Sequence, residues 1–302
     1  MKLNLNRSLK LLSTLIFLLI VVGGLVRNLG AGLSCPDWPL CQGRLIPVFD
    51  IRVFAEYFHR LFAASVSLLT FVLAFVIFRS PDFRKQVGRY MGLALILLAS
   101  QVILGGLTVL KLLKSEIVTL HLAAGTLFFA AVLMMTLKTK KEPRQDAKNL
   151  QVSPQLKSLA LLGSIACLVL YAQIILGGVV SSHYAGLACP DFPKCLGSWW
   201  PGFSGIQGIH FIHRLGATVV TLIVLVYTFR IFSSQTFNIV STRLRWLARG
   251  IVVLLAVQVT LGISNVVFQL PVAVSVAHLA VAEGLFALIL MSSYEIRRLK
   301  LH

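Results

Sequence analysis

Four histidines lie within or at the edge of long apolar stretches of this 302-residue chain: His59 and His121 in the first half, His213 and His278 in the second. They pair by internal duplication. Aligning AGLSCPDWPLC (31–41) with AGLACPDFPKC (185–195), identical at eight of eleven positions, gives an offset of 154. That offset puts His59 on His213 and Gly23-Gly24 on Gly177-Gly178. QVILGGLTV (101–109) matches QVTLGISNV (258–266) at offset 157, which puts His121 on His278. An ionisable side chain within a membrane span is costly and marks function by default. The plainer reading, a core histidine bonded to a neighbouring helix, suits one such residue better than four that pair by duplication. Two imidazoles per half suit the axial positions of a haem iron. Zinc wants three or four ligands, and there is no C-x-x-C-H for covalent haem attachment.

The neighbours of these histidines add chemistry. His59-Arg60 and His213-Arg214 repeat, so each Arg can pair with a haem propionate, or can simply snorkel to the membrane interface. EYFHR (56–60) stands opposite HFIHR (210–214), so Glu56 has His210 as its counterpart. Glu56 shares a helix face with His59. A carboxylate there can act as a base or stabilise positive charge; otherwise it bonds a ligand imidazole or meets interfacial water. His210 receives no role, and Glu283, matched by Thr126, little weight. Cys35/Cys41 and Cys189/Cys195 form two C-x5-C pairs. Disulfide staples are the favoured reading, ahead of a redox couple or a four-cysteine zinc site. Cys167 reads as packing.

The elements that must position these groups are helices in a bilayer. The chain is 57% hydrophobic and 13% charged, with mean hydropathy +0.87, whereas a soluble domain carries about 25% charged residues. Apolar stretches fall at 11–27, 54–78, 90–110, 117–137, 158–181, 208–230, 250–269 and 272–292. A lone span satisfies its backbone as a helix, so the fold class is an all-α membrane protein with eight transmembrane helices. The duplication divides them into two pseudo-symmetric four-helix bundles, a parallel internal repeat. The first half is 1–137, the linker 138–157 and the second half 158–302. The net charge of +18 is topological: 20 of the 28 Lys and Arg fall in five segments on one side of an eight-span chain. The positive-inside rule makes that side the cytoplasm, with both termini inside and both cysteine loops outside. No aromatic-basic pattern for nucleic acid accompanies the charge.

With EYFHR, HFIHR, TLHL around His121, VAHL around His278 and the outer cysteine pair in place, essentially the whole chain resembles the haem A synthase family. The resemblance implies an oxidoreductase that turns a ring methyl of haem O into a formyl group by successive hydroxylations. It implies haem b as prosthetic group on His213 and His278, and haem O as substrate on His59 and His121, with Glu56 important for activity. Many members lack one or both cysteine pairs. The expected partners are a haem O synthase as donor, a quinone or other electron acceptor, membrane lipid and, in a homo-oligomer, a second copy. The expected location is the plasma membrane. The rivals are a di-haem transmembrane cytochrome b, a haem transporter or chaperone, and a metal-free transporter.

Overall fold

A computed structural model describes residues 4–140, 154–233 and 242–300. The chain forms eight α-helices: α1 (Leu5–Asn28), α2 (Ile51–Arg79), α3 (Pro81–Leu110), α4 (Ser115–Lys138), α5 (Pro154–Ser182), α6 (Gly205–Phe232), α7 (Thr242–Val267) and α8 (Val272–Lys300). All eight are long and apolar enough to cross a membrane, and no strand occurs among the described residues. The eight expected spans are therefore present; α3 and α7 begin about two turns earlier than expected, α7 ends at Val267, short of 269, and α8 runs on to Lys300. Residues 141–153 of the expected linker lie outside the described residues; Lys138 closes α4 and Pro154 opens α5.

Helix starts follow from local chemistry. Asp50 caps α2 by accepting from the backbone N–H groups of Arg52 and Val53 through Oδ1. Ser80 caps α3, with Pro81 at its first position, where the missing N–H costs nothing. Asn4 caps α1 through the N–H of Arg7.

Two compact units result. Among the described residues the first comprises 4–140, with 181–183 and 271–280; the second comprises 154–180, 184–233, 242–270 and 281–300. In the first, α1 packs on α2 and α4, and α3 packs on α2 and α4, closing a four-helix ring. Leu9, Leu12, Ile16, Leu73, Ile77, Met91 and Met135 fill its interior. Leu68, Phe71 and Phe75 on α2 stay exposed, as lipid-facing residues must. In the second unit α6 packs on α7, and a 3-10 turn at Ala185–Leu187 packs on both. Tyr171 of α5 meets Phe286 of α8, and Tyr227 of α6 bonds Ser292 of α8 at 2.9 Å.

Candidate functional site

The four duplicated histidines hold matched places: His59 and His213 are the ninth residues of α2 and α6, and His121 and His278 the seventh of α4 and α8. At about 1.5 Å per residue they lie about 9–12 Å inside their helices. All four are partly buried. In the first unit His59 and His121 are close enough to interact electrostatically. Glycines make room for the rings: a Cβ at Gly23 of α1 would stand 3.2 Å from His59 Cε1, and one at Gly105 of α3 would stand 3.4 Å from His121 Cε1. The Nδ1 atoms of both rings are buried without a hydrogen-bond partner. Gln101 of α3 donates to the His121 carbonyl at 2.9 Å, which fixes the helix but leaves the ring alone.

A closed loop sits against the start of α2. Cys35 and Cys41 form a disulfide. Arg60, one residue after His59, clasps the loop: Nη1 donates to the carbonyls of Asp37 and Leu40 at 2.7 and 2.6 Å, and Nη2 to that of Cys35 at 2.8 Å. Nη2 also donates to Glu56 Oε1 at 2.6 Å, while Glu56 Oε2 accepts from the Cys35 N–H at 2.8 Å. Glu56 is 4% exposed. Both of its oxygens thus tie loop to helix. Four of the five Arg60 N–H groups are thus engaged, three by loop carbonyls and one by Glu56.

The second unit builds the same loop. Cys189 and Cys195 form a disulfide. Arg214 donates through Nη1 to the carbonyls of Asp191 and Lys194 at 2.9 and 2.8 Å, and through Nη2 to that of Cys189 at 2.6 Å. His210, left without a role by the sequence, takes the place of Glu56. Its Nδ1 faces the Cys189 N–H at 3.3 Å and its Nε2 the Arg214 Nε at 3.2 Å. Both cysteine pairs are closed within their own loops, and the described residues contain no cluster of three or more metal-ligating side chains. The zinc alternative falls. Cys167 is a free thiol in α5.

Two further pairs were missed. Asp37 accepts from the N–H groups of Gln42 and Gly43 at 2.6 and 2.8 Å, and Asp191 from those of Leu196 and Gly197 at 2.6 and 2.9 Å. All four donor residues have positive φ, near 52–76°. The Gly43 N–H beside Asp37 and the Gly197 N–H beside Asp191 hold these carboxyls below the usual carboxylate value. Their place in a repeated C-P-D was the available signal. The second pair is Gln173 of α5 and Gly216 of α6. The Gln173 amide lies 3.0 Å from His213 Nδ1 and donates to the His213 carbonyl at 2.9 Å. A Cβ at Gly216 would stand 2.2 Å from Gln173 Oε1, so only glycine leaves space for the amide. Gly177 of α5 backs the His213 ring as Gly23 backs that of His59, at 3.3 Å. In α8, Glu283 is fully buried, one turn beyond His278.

Comparison with known proteins places this arrangement. Residues 7–290 match the model of the COX15-CtaA family, described as cytochrome oxidase assembly protein. A Heme A synthase of Shewanella oneidensis is 33% identical, with 88% of this chain and 89% of that protein covered. Heme A synthases of Halalkalibacterium halodurans and Alkalihalophilus pseudofirmus are each 29% identical, covering 93% and 90% of this chain and 94% and 90% of their own lengths. With one family model running through all eight helices, the chain belongs to the COX15-CtaA family.

Proposed function

We propose that this chain is a haem A synthase, a membrane oxidoreductase that converts a ring methyl of haem O to a formyl group by successive hydroxylations. The observation that carries this reading is the pair His59 and His121. They are two imidazoles inside one helical bundle, close enough to interact electrostatically and each given room by a glycine of another helix. Two imidazoles, with the space that the glycines leave beside them, are a donor set that would suit the two axial positions of a haem iron. An axial histidine uses one ring nitrogen and is oriented through the other.

His59 and His121 would hold the substrate haem. By repeat match, His213 and His278 would hold haem b. A haem b held there would supply one-electron redox chemistry, with a quinone or other acceptor as the proposed electron partner. The chain's part is binding, orientation and proton handling. Arg60 and Glu56 hold the Cys35–Cys41 loop against α2, one turn from His59. Glu56 is also the proton acceptor proposed for the water that attacks the oxidised carbon, and for that it must give up the Cys35 N–H or Arg60. The basic segments put both termini in the cytoplasm and both loops outside the plasma membrane. A haem O synthase would deliver the substrate within the bilayer.

Mass spectrometry of haems extracted from protein made in cells that produce haem O tests this. Haem B together with haem A or hydroxylated haem O is the expected result. Haem B alone, at two per chain, would replace the enzyme with a di-haem electron carrier.

A further inference from the structure

The two halves differ behind the first histidine of each pair, and this inference rests on the haem reading above. The offset of 154 that puts His59 on His213 also puts Leu19 on Gln173 and Phe62 on Gly216. In the second unit the Gln173 amide reaches His213 Nδ1 at 3.0 Å and its carbonyl at 2.9 Å, in space that Gly216 leaves open. In the first unit an apolar Leu and a bulky Phe occupy the same two places, and His59 Nδ1 is buried with no partner. At these two places one half has an amide and its notch while the other has neither; the first half's own amide, Gln101 beside Gly125, bonds the His121 carbonyl and not a ring nitrogen.

A primary amide serves either tautomer of the ring, through its NH2 or through its oxygen. It can thus hold His213 by Nδ1 whether the imidazole is free or committed to iron through its other nitrogen. Such outer partners fix ring orientation and raise ligand basicity, and their loss costs 10- to 100-fold in metal affinity. Among the described residues His59 Nδ1 has no such partner, and the ring packs against Gly23.

We infer that Gln173, seated by Gly216, is the positioning residue that makes the second site a retaining haem site, and that its absence from the first half makes His59 a ligand that can let go. A prosthetic group must stay through every turnover, whereas a substrate must leave as product. The Gln173–Gly216 pair assigns these two fates to two otherwise matched sites.

The test uses the full-length protein with haem B bound. Gln173→Met keeps the side-chain length and fills the notch, but removes both hydrogen bonds. Transfer of haem B to excess apomyoglobin is expected to speed up about tenfold, with a shifted g value of the low-spin haem B signal in electron paramagnetic resonance. Leu19→Met, at the matched place in the first half, is expected to change neither. If Gln173→Met fails to fold, the double variant Gln173→Leu/Gly216→Phe installs the first half's own packing and is expected to give the same two changes. Haem B loss at the wild-type rate, or faster loss with an unchanged signal, overturns the inference while the haem reading stands. Wild-type protein that carries no haem B overturns both.

Discussion

The two loops are held by the same arginine and the same main-chain acceptors, but the third member of the clasp differs. In the first it is Glu56, with contacts of 2.8 and 2.6 Å; in the second it is His210, with contacts of 3.3 and 3.2 Å. A carboxylate has lone pairs for both donors, whereas an imidazole offers at most one acceptor nitrogen. Charge-assisted bonds are also shorter and roughly twice as strong. One architecture therefore carries a tight, charged clasp over the site proposed for chemistry and a looser one over the site proposed for storage. Geometry alone does not demand the carboxylate, since the second half closes its loop without one.

Removing a substrate ligand should have the largest effect. His59→Ala or His121→Ala is expected to reduce haem A formation to background while haem B remains, read by mass spectrometry of extracted haems; normal product from either variant would break the assignment of this pair. Next is Glu56→His, which borrows the second half's own solution for the clasp. The loop disulfide and haem content should persist, while turnover falls about 10²- to 10⁴-fold, the range of a lost proton acceptor. Turnover near that of the wild type would reduce Glu56 to a loop anchor.

The arginines sharpen the comparison in stability. Arg60→Met strands a buried carboxylate and is expected to cost about 3–5 kcal/mol. Arg214→Met leaves only neutral acceptors behind, for about 1–3 kcal/mol. Thermal unfolding in detergent measures both, and equal costs would deny the charge difference its energetic meaning. The smallest effect is the acid limit of the loops. With their carboxyls held below 3.8, Asp37 and Asp191 contribute stability that is present above that value and is lost as pH falls through the depressed folded value. Limited proteolysis of the loops should be flat from about pH 8 to pH 5 and rise only below the ordinary carboxylate value of about 3.9. A rise near pH 6 would point to a histidine instead.

Much of this was legible in the sequence because the chain states it twice. The eight helices follow from apolar length, and the histidines and cysteines stand out because each recurs at a fixed offset. The clasp was hidden for a physical reason. Arg60 and Arg214 bind carbonyl oxygens, and every residue has one, so no side-chain pattern announces the partner. Asp37 and Asp191 were in view within the repeated motif, but their work is done on backbone N–H groups five and six residues on. Gln173 was legible only as a mismatch: its opposite number is Leu19, and its notch is visible only once helices α5 and α6 are packed.

That the clasp grips main chain has a consequence for what the outer face can become. Trp38 and Leu40 in one loop stand where Phe192 and Lys194 stand in the other, yet the carbonyls of Leu40 and Lys194 are held alike. The side chain at the Leu40/Lys194 position can be rewritten without loosening the fastening beneath it, whereas Phe192 lies against the Arg214 guanidinium and Trp38 against Gly106. Each loop is a fixed mount with an interchangeable label, a place where lineages can vary recognition, or an engineer can graft it, while the helices below keep their positions.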